Sequence, residues 1–145
     1  MHIGTNGRLL DTPVIRAGFV GCGSHAFRNV YPALQFAHVD LVATCDLDLA
    51  RAQTFARRFG AAAAYGDYRK MIAEEQLDAV FVVTGYDAQG RPQYPRIACE
   101  ALAAGCHVWI EKPPAATCAE IEAMQPASRD SGRLVLCGLK KMFLP

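Results

Sequence analysis

Val14-Ile-Arg-Ala-Gly-Phe-Val-Gly-Cys-Gly-Ser-His-Ala26 decides the fold, because an apolar run turns there abruptly into a glycine-rich loop. Val14, Ile15, Ala17, Phe19 and Val20 leave almost no polar face. That pattern is expected of a strand covered on both sides by helices in a parallel sheet. Gly21-Cys22-Gly23-Ser24-His25-Ala26 then fits G-x-G-x-x-G/A, the turn from such a strand into a helix that receives a dinucleotide pyrophosphate. The first glycine permits the tight turn, the second lets phosphates approach the backbone, and Ala26 keeps the helix close to the sheet. Phosphates there meet free N–H groups and the positive end of the helix dipole. A small loop between a buried strand and a helix is itself a sufficient structural reason for glycines, so the motif needs support from the rest of the chain.

Distance supplies that support. After the loop, Phe27, Val30, Tyr31 and Leu34 follow a helical period to about Phe36, with Pro32 expected to kink the helix or end it early. His38 to Cys45 reads as a second strand and delivers Asp46 at its carboxyl end. A carboxylate roughly 20 residues beyond the glycines is where a dinucleotide fold places its acceptor for the adenosine ribose hydroxyls. The same charge repels a 2′-phosphate and Leu47 supplies no cation to hold one, so NAD is favoured and NADP is less favoured. Asp46 or Asp48 also suits the N-cap of the next helix, and the two can divide the tasks.

The remaining elements follow in order. Leu47 to Phe59 reads as a helix ended by Gly60, Ala61 to Tyr65 as a short third strand, and Tyr68 to Glu75 as a helix after the Gly66-Asp67 turn. Leu77 to Thr84 is β-branched and nearly uncharged, as an interior parallel strand should be. Its end, Thr84-Gly85-Tyr86, falls where ligands of open α/β sheets bind. Asp87 to Pro95 reads as a polar loop, either a lid over a substrate or plain connection, and Ile97 to Ala104 as a helix closed by Gly105. Cys106 to Ile110 is a fifth strand. Thr117 and Glu120 form a capping box for a helix through Ala127, where Pro126 should stop it, and Arg133 to Leu139 is a sixth strand. Six strands with helices between them imply a doubly wound, mostly parallel α/β sheet with strand order 3-2-1-4-5-6. The domain covers residues 14–139, after a tail at 1–13 and before a connecting segment at 140–145.

Composition bounds the function. The 145 residues suffice for one domain with a real core, and half of them are apolar. A net charge of +1 with scattered Lys and Arg argues against a nucleic-acid surface. No apolar run approaches the roughly 20 residues of a membrane span, and a secretory signal is lacking, so a cytoplasmic protein is expected. The six cysteines never form C-x-x-C, which argues against a metal site and against redox chemistry.

Glu111-Lys112-Pro113 is the sharpest feature after the glycine loop. A lysine at the carboxyl end of the fifth strand stands in the cofactor crevice, where its ammonium can hold a substrate oxygen or pass a proton as hydride leaves the carbon. Lysine is ordinarily protonated at neutral pH, so it serves directly as acid, while service as base requires burial. The plainer alternative is an exposed strand-end lysine before a turn.

At this point the chain resembles a known family. Gly18-Phe-Val-Gly-Cys-Gly23, Tyr31-Pro-Ala-Leu34, Thr44-Cys-Asp46, Asp78-Ala-Val-Phe-Val-Val-Thr84 and Ala101-Leu-Ala-Ala-Gly-Cys-His-Val-Trp-Ile-Glu-Lys-Pro113 together resemble the cofactor-binding domain of the Gfo/Idh/MocA oxidoreductases. The resemblance runs from about Val14 to Pro145. It implies that Gly21, Gly23, Ser24, His25 and Ala26 hold the pyrophosphate and that Asp46 binds the adenosine ribose. By the same resemblance Glu111 lies near the nicotinamide ribose and Lys112 is the catalytic residue at the reacting oxygen, while Thr84 and Tyr86, by their place at the end of the fourth strand, are expected near the nicotinamide. It further implies a sugar-like or polyol substrate. Three departures stand out: Tyr94 occupies the place of a family histidine, Gly138-Leu-Lys-Lys-Met-Phe143 keeps Lys141 but has Met142 for the second cation, and the chain stops at Pro145 without the family's α+β second domain. The expectation is therefore a dinucleotide-binding domain of a hydride-transferring oxidoreductase, inactive as an isolated chain. The alternative is a non-catalytic dinucleotide-sensing or partner-binding module, and a further expectation is self-association through apolar surface.

Overall fold

The computed structural model describes residues 12–139. Lys141, Met142, the connecting segment from 140 and most of the amino-terminal tail lie outside them. Six parallel strands form one sheet: β1 Ile15–Val20, β2 Val39–Cys45, β3 Ala63–Tyr65, β4 Ala79–Val82, β5 His107–Ile110 and β6 Val135–Cys137. Their order is β3-β2-β1-β4-β5-β6, the doubly wound arrangement expected from the alternation of elements. The strand order reverses between β1 and β4, and this opens a crevice at their carboxyl ends.

The helices are a π-helical turn Ala26–Val30 running into α1 Tyr31–Leu34, then α2 Leu49–Phe59, α3 Tyr68–Glu74, α4 Tyr94–Ala103 and α5 Cys118–Ser131. Several boundaries differ from the sequence expectation for physical reasons. The first helix ends at Leu34, earlier than Phe36, and widens into the π turn just before Pro32, with the Tyr31 N–H donating to the Ala26 carbonyl. α4 begins at Tyr94 rather than Ile97, because Pro95 in its first turn lacks only an N–H that would have no intrahelical acceptor anyway. α5 runs through Pro126 to Ser131 instead of stopping. Pro126 and Glu122 are exposed, so water can serve the carbonyl that loses its partner, while the Thr117–Glu120 capping box and the left-handed Gly132 hold the two ends.

The two faces of the sheet carry two cores. One holds Phe19, Cys22, Ala26, Val30, Tyr31 and Ala52 beneath the first helix and α2. Phe19 stacks on Tyr31 at 3.8 Å and Tyr31 on Phe59 at 4.6 Å, contacts worth about 1 kcal/mol each beyond the area they bury. The other core gathers Met71, Val80, Val82, Ile97, Leu102, Val108 and Ile110 beneath α3, α4 and α5. β1 is buried only from Ala17 onward; Val14 and Ile15, expected to be covered, are 48% and 38% exposed at its amino end. Among the described residues no helix is long and apolar enough to cross a membrane.

Candidate functional site at the carboxyl edge of the sheet

The glycine turn leaves β1 at Gly21, whose φ of +105° lies in the left-handed region. A Cβ there would come within 2.1 Å of the Val83 carbonyl oxygen, so the turn lies hard against the end of β4. At Gly23, by contrast, a Cβ would meet nothing within 4 Å, and the residue is exposed. Helical backbone starts at Ser24, and Ala26 is fully buried against the sheet as the motif requires.

Asp46 and Asp48 divide the two tasks open to them. Asp48 caps α2, accepting from the Arg51 N–H at 3.2 Å. Asp46 turns toward the glycine loop: Oδ2 accepts from the Cys22 N–H at 2.8 Å and Oδ1 from the Asp48 N–H at 2.9 Å. The Arg51 guanidinium approaches Asp46 at 3.6 Å and Asp48 at 3.4 Å. Arg51 is a cation that the residue-by-residue reading missed. The available signal was its place in the first turn after β2, which the fold carries to the same edge as Asp46.

A cleft of about 310 Å³ gathers Gly23, Ser24, His25 and Ala26 with Thr84, Tyr86, Glu111 and Lys112. Eight of the ten residues singled out from the sequence thus meet in one place. Gly21 and Asp46 do not line the cleft; Asp46 is bonded to the same glycine turn through the Cys22 N–H. A larger hollow of about 470 Å³ between α5 and β6 is lined by Ile121, Met124 and Val135 and contains none of these residues. The residues singled out from the sequence therefore line the smaller cleft.

Each wall of the cleft is tied to the scaffold. Tyr94, 3% exposed, donates from its hydroxyl to the Thr84 carbonyl at 3.1 Å and so fastens the start of α4 to the end of β4. Burial, helped by the nearby Tyr86 and Glu111, pushes the Tyr94 hydroxyl up to about 12, so it remains a donor at neutral pH. Burial likewise pushes the Cys22 thiol up to about 11, leaving it a packing residue rather than a nucleophile. Asp87 closes the segment after Tyr86: its carboxylate accepts from the N–H groups of Gln89 and Arg91 and from Arg91 Nε, each at 2.9 Å. That segment is a self-bonded turn, with Tyr86 half exposed at the mouth of the cleft. Lys112 is exposed, makes no ion pair with a described residue, and precedes a cis bond to Pro113.

The residues present fit a dinucleotide on two counts. Thr84 Oγ1 is buried and has no hydrogen-bond partner among the described residues, a condition that a ligand hydroxyl or amide in the cleft would relieve. The space over Gly23 is open, since a Cβ there would meet nothing within 4 Å, and this leaves the backbone accessible to a closely approaching phosphate.

Comparison with known proteins agrees with this geometry. Residues 15–139 match the model of the Gfo/Idh/MocA oxidoreductase family, NAD-binding Rossmann fold. The chain is 29% identical over 133 residues to the trans-1,2-dihydrobenzene-1,2-diol dehydrogenase of Mus musculus, covering 90% of this chain and 38% of that one. Among solved structures it resembles a 3-ketoreductase from Actinomadura kijaniata in complex with TDP-benzene and NADP in an open conformation, with a TM-score of 0.82 and 27% identity over 92% of this chain and 40% of that one. It also resembles a dehydrogenase from Bordetella pertussis in complex with NADH and UDP-GlcNAcA, with a TM-score of 0.74 and 27% identity over 86% of this chain and 37% of that one. The chain thus spans about two fifths of the length of the proteins it matches. With strand order, glycine turn and sequence in agreement, the chain belongs to the Gfo/Idh/MocA oxidoreductase family and is an NAD(P)-binding Rossmann domain of it.

Proposed function

We propose that the cleft serves hydride transfer between a nicotinamide dinucleotide and a hydroxyl-bearing carbon of a sugar-like or polyol substrate. The observation that carries this reading is the meeting of Lys112 with the glycine turn and the unpartnered Thr84 hydroxyl in one cleft. A bound nicotinamide supplies the hydride acceptor or donor. Gly21, Gly23, Ser24, His25 and Ala26 hold the pyrophosphate region, and the Asp46 carboxylate receives adenosine ribose hydroxyls. Thr84 offers its hydroxyl to the nicotinamide half, and Tyr86 and Glu111 border it. The Lys112 ammonium holds the substrate oxygen, giving it a proton when the carbonyl is reduced and taking it back in the reverse direction. A sugar-like substrate class is supported by two solved relatives, one a 3-ketoreductase and one bound to a nucleotide sugar.

The Asp46 charge favours NAD over NADP, and Arg51 beside it moderates the preference without reversing it, because Arg51 is already shared between two carboxylates. The 145 residues supply one wall for a substrate. Near-attack orientation contributes about 7 to 11 kcal/mol to such reactions, so this chain by itself binds the dinucleotide and turns over nothing.

The test is a titration with NADH and, separately, NADPH, following nicotinamide fluorescence, with an Asp46→Ala variant alongside. Tighter binding of NADH and loss of that preference in the variant support the reading. Absence of binding by either nucleotide favours a partner-docking module instead.

A further inference from the structure

We infer that His25 is a positioning residue that links the pyrophosphate loop to the Lys112 end of β5 through the buried Glu111 carboxylate. The inference rests on the dinucleotide reading above and assigns a coupling between the two halves of the site. His25 Nε2 lies 2.9 Å from Glu111 Oε1, although 86 residues separate them in sequence. The other carboxylate oxygen, Oε2, accepts the Lys112 N–H at 3.0 Å. One carboxylate thus holds the glycine loop with one oxygen and the backbone of the candidate catalytic lysine with the other.

The hydrogen bonds around the ring define which nitrogen carries its proton. Asn29 Nδ2 lies 3.2 Å from the His25 carbonyl, which can only accept, so this end of the Asn29 amide is the NH2 group. The same Nδ2 lies 3.2 Å from His25 Nδ1, which must then accept as well. The ring N–H is therefore on Nε2 and points at Glu111. The imidazole is thus oriented as a donor to the carboxylate.

Packing does not explain the residue. The His25 side chain is 52% exposed, whereas Glu111 is 11% exposed, so the imidazole contributes a hydrogen bond rather than filled volume. Topology explains why the link matters. In the sheet β4 lies between β1 and β5, so the pair spans the end of β4, where Thr84 stands. The loop is thereby tied on both flanks, to β2 through Cys22 and Asp46 and to β5 through His25 and Glu111. Loss of the imidazole leaves a buried carboxylate oxygen without its donor, and the carboxylate that positions Lys112 is then free to turn toward water.

The experiment compares ADP with NADH on the wild-type chain and on His25→Ala and His25→Gln, with thermal melting of each as a folding control. ADP carries only the adenosine half and the phosphates, and the Gln amide can donate to Glu111 from nearly the position of Nε2. The His25 backbone stays in the glycine turn in both variants, so ADP affinity is expected to change equally in the two, by no more than the loss of one side-chain contact to the pyrophosphate. NADH affinity falls about tenfold in His25→Ala, the usual scale for a lost hydrogen bond to a charged group, and recovers within about threefold of wild type in His25→Gln. Equal weakening of ADP and NADH, unchanged NADH binding, or failure of His25→Gln to recover overturns the inference while leaving the dinucleotide reading intact. If the wild type binds neither ADP nor NADH, that reading falls and the inference with it.

Discussion

The Cys22 N–H donates to the Asp46 carboxylate at 2.8 Å, so the turn after β1 and the end of β2 are held together before any ligand arrives. The other Asp46 oxygen accepts from the Asp48 N–H at 2.9 Å. A carboxylate can satisfy both donors, but an amide of the same shape offers one oxygen and one NH2 group. Asp46→Asn therefore turns a donor toward a backbone N–H, and its unfolding free energy in urea should drop by about 1 to 2 kcal/mol. An unchanged urea midpoint would contradict this role.

Gly21 and Gly23 should separate folding from binding. Gly21→Ala puts a methyl group 2.1 Å from the Val83 carbonyl at a positive φ, and a loss on the order of 3 kcal/mol or failure to express folded is expected. Gly23→Ala meets no neighbour, so its melting temperature should stay near wild type while its methyl group intrudes on the cleft and weakens NADH binding. Calorimetry and fluorescence titration of the two variants check both halves.

Thr84→Val removes a buried hydroxyl that has no partner among the described residues, at nearly constant volume. Without nucleotide the variant should be as stable as wild type or up to about 1 kcal/mol more stable, since an unpaired buried hydroxyl is costly. With nucleotide the order should invert, because the hydroxyl that would bond the ligand is gone. Melting curves with and without NADH show whether the crossover occurs.

Two carboxylates contribute to the acid limb of stability. Burial raises the proton affinity of Glu100, but hydrogen bonds from Arg69 and Tyr68 outweigh it and hold the group below the usual carboxylate range. The Arg91 backbone N–H, with its guanidinium and the Gln89 N–H, lowers Asp87 in the same sense. Both groups bind protons less readily in the folded chain than in the unfolded one. Their stabilisation is complete above about pH 4 to 5 and is lost as pH falls below that range. Urea midpoints measured from about pH 6 down to about pH 2.5 should decline, with a flatter decline in Glu100→Gln.

Among the described residues, the cover of the sheet runs out at Leu136. Phe19, Phe81, Trp109 and Leu136 are aligned across β1, β4, β5 and β6, and the first is fully buried while Leu136 is 55% exposed, with Leu134 at 68% beside it. Exposed apolar side chains along an unpaired edge favour association. Sedimentation velocity at rising concentration should show self-association of the wild-type chain and a weaker tendency in Leu136→Lys. A concentration-independent monomer would remove this surface from consideration.

Much of the architecture was legible because its signals are local or periodic. Apolar runs give the strands, Gly60 marks a helix end, and the Thr117–Glu120 box marks a helix start. The prolines misled in both directions. Pro95 reads as loop in the sequence but suits a helix's first turn, and Pro126 reads as a stop but is tolerated on an exposed face between two firm caps.

By itself the sequence determined the strand order, the glycine turn and the arrival of Asp46, Thr84 and Lys112 at one edge of the sheet, because a right-handed alternation of strands and helices leaves few other topologies. Only the tertiary structure decided how those residues are wired: that Asp48 rather than Asp46 caps α2, that Arg51 stands between both, and that His25 meets Glu111. Such partners lie on different elements, and their pairing depends on side-chain directions and on distances of a few ångströms that strand packing alone sets.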